Sequence, residues 1–115
     1  METWLSLQLL VKKLNSSPEN HNLDSLHQGL LEWIMLRTQE NTPLYIQEIV
    51  LRSEIASPAT IHKIMSNLET HGLILLTVDV QDARRRRVTT STKASRRLIS
   101  LSKSVDQWIA SRSKT

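Results

Sequence analysis

The chain has 115 residues and a formal net charge of +4, and this length allows one domain to bury a core without metals or disulfides. It contains no cysteine, which excludes a disulfide framework, a zinc–thiolate site and a thiol redox sensor. The first residues lack the basic segment of a signal peptide, and no apolar run is long enough to span a bilayer. We therefore expect a cytoplasmic protein that does not enter a membrane.

The charge is unevenly distributed along the chain. Residues 1–57 hold four Lys or Arg and seven Asp or Glu, whereas residues 58–115 hold eleven and four. A basic half joined to a mildly acidic half is typical of a protein that meets a polyanion at one end. An ordinary solvated basic face would give the same numbers of charged residues. The positions of the lysines and arginines must therefore distinguish such a face from a polyanion-binding site.

The first half of the chain is predicted to be helical. Apolar spacing predicts a first helix over residues 3–15, and composition predicts a loop over residues 15–20. A second helix begins near Asn22 or Asp24, either of which can cap it. Residues 44–46 can form a very short strand that precedes a third helix.

A strong helix start separates the third and fourth predicted helices. The third helix ends near Ser53, and a tight turn leads to Ser57 and Pro58. Here the serine can cap free N–H groups and the proline fits the first helical position. The fourth helix then runs to His71, and Gly72 stops it.

The remaining sequence predicts a β-hairpin and a last helix. Residues 73–78 and 85–90 form its strands around a polar loop, residues 79–84. Ser91 can cap a helix that runs to about Ser111. This order predicts a mainly α fold with a small β-hairpin, the winged helix-turn-helix. The expected single domain, residues 1–115, comprises the helix-turn-helix and wing at about 23–90 and two terminal helices at about 3–15 and 91–112.

The fourth predicted helix has an apolar face and a polar face. Ile61, Ile64, Met65 and Leu68 fall on the apolar face and are expected to pack inside. The opposite face is small or polar, with one lysine and no carboxylate, which suits a helix that enters a major groove. An ordinary amphipathic surface helix would also be polar outside. The candidate DNA-binding residues of this helix are Ser57, Ala59, Thr60, His62, Lys63, Ser66 and Asn67.

Four consecutive arginines follow the predicted hairpin loop. A narrow minor groove attracts an inserted arginine, and further arginines can bind phosphates. Alternation along a strand sends Arg85 and Arg87 to one face and Arg84 and Arg86 to the other, and Asp82 is close enough to brace Arg84. Protection of an edge hairpin from aggregation would need fewer charges. The candidate DNA-binding residues of the wing are Asp82, Arg84, Arg85, Arg86 and Arg87.

Two parts of this region resemble the DNA-binding region of MarR-type transcriptional regulators. Residues 57–63 and 68–74 resemble the recognition helix and its exit, and the segment Asp82-Ala83-Arg84 resembles the wing signature. The similarity covers about residues 30–95, and the aspartate-x-arginine wing is its more specific part. One departure is the turn before Ser57, which lacks the glycine that is usual there.

The resemblance implies a homodimer whose N- and C-terminal helices form the interface and whose recognition helices enter successive major grooves. It also implies that Arg84 lies at a wing tip in the minor groove. Ala59, Thr60, His62 and Lys63 fall at base- or phosphate-contacting positions by the same comparison. A small-molecule effector is compatible with the family, but no residue pattern in this sequence indicates one.

The last predicted helix indicates self-association independently. Its apolar residues repeat at alternating spacings of four and three, which is typical of a helix packed along another helix. Some of this face must cover the protein's own core. The first helix also has excess apolar surface, however, and a second copy of the chain explains both helices. The expected interface residues are Trp4, Leu7, Val11, Leu98, Leu101, Val105 and Trp108.

The sequence thus predicts a homodimer that binds double-stranded DNA sequence-specifically and regulates transcription, as a repressor. A plasmid or phage replication or partition factor with the same fold is one alternative. A winged helix whose arginines bind an acidic protein is another. No enzymatic activity, cofactor or metal site is predicted, because the chain has no cysteine, no glycine-rich phosphate loop and no nucleophile–base pair at readable spacing.

Overall fold

The computed structural model describes residues 1–16 and 23–113, so most of the loop predicted at residues 15–20 and the alternative cap Asn22 lie outside the described residues. The described elements are α1 (Thr3–Asn15), α2 (Ser25–Thr38), α3 (Ile46–Arg52), α4 (Pro58–Thr70), β1 (Ile74–Val78), β2 (Arg86–Thr90) and α5 (Thr92–Ser113). The predicted mainly α fold with one β-hairpin is confirmed, and α1 has the predicted bounds.

The core lies where α2, α3 and α4 pack against the hairpin. The predicted inner face of α4 is confirmed, since Ile61, Ile64, Met65 and Leu68 are all buried. The largest fully buried side chains are Leu30, Leu31, Ile34, Ile49, Ile61, Leu68, Leu73, Ile74 and Val88. Full burial of an apolar side chain of this size contributes about 1.5–3 kcal/mol. Tertiary packing, more than helix propensity, therefore holds α4 in place.

Both α2 and α4 begin at a side-chain cap. Oδ1 of Asp24 accepts a hydrogen bond from the backbone N–H of His27 at 2.8 Å, so Asp24 caps α2. Oγ of Ser57 accepts from the backbone N–H of Thr60 at 3.4 Å, and Pro58 occupies the first turn of α4. Each cap satisfies an N–H group that has no partner inside its helix.

A Schellman motif ends α4 at the predicted glycine. Gly72 has a φ of +72°, a conformation that glycine adopts without a steric penalty. Its N–H donates to the carbonyl of Glu69, and the N–H of Leu73 donates to the carbonyl of Leu68, both at 2.9 Å. The buried Leu73 therefore belongs to the helix exit, and β1 begins at Ile74 instead of the predicted residue 73.

The hairpin pairs β1 with β2 in antiparallel register, with Val78 opposite Arg86 at the loop end. The second strand begins at Arg86 and not at residue 85 as predicted. The reason is that the N–H of Arg85 turns back into the loop and donates to the carbonyl of Asp82 at 3.0 Å. Strand alternation therefore does not govern the side chain of Arg85.

The strand predicted at residues 44–46 is reduced to one antiparallel bridge between Tyr45 and Arg87. The N–H of Val88 also donates to the carbonyl of Leu44 at 2.8 Å. Because α3 begins directly after Tyr45, no longer strand can form. The two contacts nevertheless fasten the hairpin to the segment before α3.

The terminal helices extend away from the core. Among their described side chains, α1 buries none and α5 buries Ala94 and Arg97. The radius of gyration is 16.0 Å, whereas a compact domain of this length has about 13 Å. Nε of Arg97 donates to Oε1 of Gln28 on α2 at 3.1 Å. Burial lowers the pKa of the Arg97 guanidinium, and the charge of Glu32 opposes that shift.

None of the helices in the described part of the chain combines the length and the apolar character that a membrane crossing requires.

Glu54, in the turn between α3 and α4, has a φ of +54°. This left-handed conformation costs an L-residue roughly 1–2 kcal/mol, and a glycine avoids that cost while losing more entropy on folding. We expect Glu54→Gly to raise the free energy of unfolding by about 0.5–1 kcal/mol, measured by urea denaturation. Glu54→Ala is the control, because it removes the carboxylate but keeps the Cβ atom, and it should bring no gain.

The cap of α2 makes part of the stability depend on pH. The backbone N–H of His27, followed by the His27 side chain, holds the pKa of Asp24 below 3.8. A depressed carboxyl pKa stabilises the folded state above the unfolded pKa, and this contribution disappears as the pH falls through the folded value. The advantage of wild type over Asp24→Asn in urea denaturation should therefore be larger at about pH 5 than at about pH 3. An equal difference at both pH values would contradict the role of the Asp24 charge.

Candidate nucleic-acid interface

The exposed face of α4 presents small and polar side chains to solvent. Of the predicted residues, Ser57, Ala59, His62, Lys63 and Ser66 are exposed, and Thr60 and Asn67 are half-buried. Within residues 1–16 and 23–113, the side chains of His62 and Lys63 have no hydrogen-bond or ion-pair partner, so both can reach an external ligand. The first carboxylate along α4 is Glu69, near the end of the helix.

Ser57 and Thr60 form a hydroxyl pair at the start of α4. Oγ of Ser57 donates to Oγ1 of Thr60 at 3.0 Å, in addition to accepting the Thr60 N–H. The Ser57 hydroxyl is therefore committed to capping. The Thr60 hydroxyl keeps its own proton, which makes Thr60 the available donor of the pair.

Asn67 is bonded inside the protein. Its Nδ2 lies 3.1 Å from Nε2 of His27, and Nδ1 of His27 lies 2.7 Å from Oδ1 of Asp24. When the neutral imidazole donates from Nδ1 to the carboxylate, Nε2 accepts from the Asn67 amide. These bonds tie the middle of α4 to the start of α2. Sequence patterns assigned His27 no role; the signal was its position three residues after the cap.

The wing has the braced turn predicted from its sequence. Oδ1 of Asp82 accepts from the backbone N–H of Arg84 at 3.0 Å and from Nε of Arg84 at 3.3 Å. The Arg84 side chain is 92% exposed, so the brace leaves its terminal nitrogens accessible. The neighbouring Arg86 and Arg87 are also exposed.

Arg85 stacks on Tyr45, a contact that sequence patterns did not reveal. Its guanidinium carbon lies 3.6 Å from the centroid of the Tyr45 ring. The face of an aromatic ring attracts a cation because its electron distribution is negative there. Tyr45 is the only tyrosine in the chain. The available signal was its place in the short segment, residues 44–46, that was predicted to form a strand.

Two surface clefts place the wing and the exposed face of α4 on the same side of the molecule. The first is lined by Tyr45, Ile46, Gln47, Arg84, Arg85 and Arg86. The second is lined by Ile46, Gln47, Val50, Leu51 and His62. Ile46 and Gln47, at the start of α3, belong to both clefts. The wing arginines and α4 therefore flank one continuous surface.

This surface carries unpaired positive charge. The carboxylates of Glu48 on α3 and Asp82 in the wing are each paired with an arginine, at 3.7 Å and 3.3 Å. Lys63, Arg86 and Arg87 have no carboxylate partner among the described residues. A polyanion can therefore bind here without displacing an internal ion pair at these three side chains. No group of three or more His, Asp or Glu in the described part of the chain could hold a metal ion.

The residues expected at a dimer interface lie along α1 and α5. Trp4 is 66% exposed, Val11 37% and Leu98 39%, whereas Leu7, Leu101, Val105 and Trp108 are half-buried. Val11, Leu98, Leu101 and Val105 line a cleft of about 330 Å³ between α1, α2 and α5. Part of the predicted face thus already lies against the same protomer. Further exposed apolar residues of the same two helices are Leu5, Leu9, Ile99 and Ile109.

No protein-family model matches the chain, and no curated protein matches it in sequence. Solved structures of MepR from Staphylococcus aureus do match its fold. A MepR mutant bound to an oligodeoxyribonucleotide has a TM-score of 0.77 at 18% identity, and the match covers 100% of this chain and 85% of that one. A MepR–DNA complex has a TM-score of 0.74 at 17% identity, covering 95% of this chain and 83% of that one.

A third structure is MepR described as a transcription regulator of the multidrug efflux pump MepA, with a TM-score of 0.70 at 17% identity, covering 96% of this chain and 78% of that one. The alignments extend over both terminal helices as well as the central region, since they cover nearly all of the chain. The chain therefore has the winged helix fold of MepR, with a long C-terminal helix.

Proposed function

We propose that this protein binds double-stranded DNA sequence-specifically as a homodimer and regulates transcription, as a repressor. The observation that carries the proposal is the continuous basic surface formed by α4, the start of α3 and the wing. The fold of the MepR–DNA complexes supports it. The resemblance of the sequence to MarR-type regulators points to the same function.

In this proposal α4 enters the major groove. Ala59 is small enough to let the helix approach the base edges, and Thr60 and His62 offer hydrogen-bonding groups to bases or phosphates. Lys63 reaches a phosphate or a guanine, and Ser66 extends the polar face. Ser57 acts as the cap that presents the helix. Asn67, which is bonded to His27, contributes chiefly by holding α4 against α2.

The wing lies along the neighbouring backbone. Arg84, at the braced turn, reaches into the minor groove, where a narrow groove concentrates negative potential. Arg85, Arg86 and Arg87 bind phosphates, which give affinity and register without reading the sequence. Asp82 fixes the turn and does not contact the duplex.

The terminal helices bring two copies together. The exposed apolar side chains of α1 and α5 need a cover that one protomer does not supply, and a two-fold axis buries the same patch on both copies. Two α4 helices then face half-sites roughly 34–36 Å apart, one helical turn of DNA. Occupancy of such an operator in the cytoplasm would block transcription.

Duplex binding should depend steeply on salt, because lysines and arginines release counterions from the phosphates. In fluorescence anisotropy with duplex DNA, Lys63→Ala and Arg86→Ala should each weaken binding. Each should also reduce the slope of log K against log salt by about 0.9 for each phosphate that the variant no longer neutralises. Arg84→Ala should weaken binding most at sites with A·T-rich flanks.

Lys103→Ala is the matched control, since Lys103 is an exposed lysine on α5 away from both clefts. It should leave affinity and slope unchanged. Selection of bound sites from random duplexes should return a two-fold symmetric sequence. A chain that binds an acidic protein but no duplex at low salt would instead favour the protein-assembly alternative.

Self-association should be weakened when a charge is placed on the exposed apolar face. Trp4→Glu suits this test because Trp4 is 66% exposed, and a carboxylate is tolerated in the first turn of a helix. We expect the dimer to dissociate about 30-fold more readily in sedimentation equilibrium, the effect of losing an interface anchor of about 2 kcal/mol.

Val80→Glu provides the control, because Val80 is an apolar residue that is 100% exposed in the wing loop. It should sediment like the wild type. A wild-type chain that remains monomeric at every concentration would exclude the homodimer while leaving duplex binding by one protomer open.

A further inference from the structure

We infer that Tyr45 is a positioning residue that holds the Arg85 guanidinium ready to bind a backbone phosphate beside the loop end of the wing. The inference rests on the proposed function and assigns a specific role to one of the four arginines. It also brings into the interface a residue that lies outside both α4 and the hairpin.

The backbone of Tyr45 is held by contacts on both sides. Tyr45 forms an antiparallel β-bridge with Arg87 of β2. The backbone carbonyl of Tyr45 accepts hydrogen bonds from the N–H of Glu48 at 3.0 Å and from the N–H of Ile49 at 3.3 Å. Tyr45 therefore lies at the junction between the hairpin and the first turn of α3. These backbone contacts fix the position from which the half-buried Tyr45 side chain extends toward the wing.

The backbone of Arg85 is held as firmly. Its N–H donates to the carbonyl of Asp82 at 3.0 Å, and its own carbonyl accepts from the N–H of Asp79 at 2.9 Å. Both members of the stacked pair thus start from fixed backbone positions. The two backbones place the guanidinium within reach of the ring, and its central carbon lies 3.6 Å from the ring centroid.

Stacking uses the face of the guanidinium and leaves its edge available. The N–H groups of arginine lie in the guanidinium plane and can bind phosphate oxygens in pairs. Among the described residues, no side chain accepts a hydrogen bond from Arg85. The cleft of about 180 Å³ beside it is lined also by Gln47, so the donors border an open space next to another polar side chain.

The other wing arginines are arranged differently. Arg84 is held by the Asp82 carboxylate, whereas Arg86 has neither a ring nor a carboxylate partner in the described part of the chain. Binding a phosphate with Arg86 requires ordering a mobile side chain, which costs conformational entropy. Arg85 is already restricted by the ring. Tyr45 should therefore strengthen duplex binding through Arg85 and not through Arg84 or Arg86.

A double-mutant cycle on duplex affinity tests this coupling. Tyr45→Leu should weaken binding about two- to tenfold, because the Arg85 side chain would then have to be ordered when the duplex binds. In the Arg85→Ala background the same substitution should have no further effect. Tyr45→Phe keeps the ring face and should bind like the wild type. Equal effects of Tyr45→Leu in the wild-type and Arg85→Ala backgrounds would overturn the inference.

The control cycle pairs Tyr45→Leu with Arg86→Ala, and there the two effects should multiply. All substitutions should act alike on duplexes of different sequence, because phosphates carry no sequence information. A wild-type chain with no affinity for any duplex would refute the proposed function itself. A binding wild type with no Tyr45–Arg85 coupling would refute only the role of Tyr45.

A measurement on the wild type covers the case in which Tyr45→Leu does not fold. The ring current of Tyr45 should shift the Arg85 side-chain protons upfield relative to those of Arg86 in the NMR spectrum. On addition of duplex, this shift should persist while the Arg85 Nε–H resonance moves. Loss of the ring-current shift on binding would mean that Arg85 leaves the ring, and the inference would then be wrong.

Discussion

The attachment of the hairpin to the segment before α3 is the contact on which the binding surface depends. The N–H of Val88 bonds to the carbonyl of Leu44 at 2.8 Å, and Tyr45 bridges Arg87. An isolated two-stranded hairpin is only marginally stable in water, so this attachment, together with the packing of the hairpin on α2 and α4, fixes the arginines relative to α4. The arginine side chains therefore extend from a hairpin backbone that is held in place.

The helix that faces the same surface, α4, is held along its inner side and at its C-terminal exit. Its inner side chains fill the core, and its C-terminal exit is held from α5, where Lys93 Nζ donates to the carbonyl of His71 and Ser91 Oγ donates to that of Gly72, each at 2.6 Å. The helix proposed to read DNA is thus joined directly to the helix proposed to dimerise. The orientation of α5 in a dimer would therefore determine where the second α4 lies.

The terminal helices differ from the core because most of their apolar side chains are only partly buried. Their apolar side chains are shared between a cleft inside one protomer and the open surface. The buried bond between Gln28 and Arg97 adds a directional tie between α2 and α5. Apolar contact is not directional, whereas a buried polar pair that must be satisfied restricts how two elements can pack.

Local features of the sequence determined the helices, their caps and the inner face of α4. Asp24, Ser57 and Gly72 act within one or two turns of their own positions, so their neighbours in the chain suffice to predict them. Only the tertiary structure decided that Tyr45 meets Arg85 and that His27, 40 residues from Asn67, binds it. The tertiary structure also decided which apolar side chains of α1 and α5 line the cleft inside one protomer and which remain on the open surface. Such contacts depend on how distant elements pack, and periodicity along the chain carries no information about that packing.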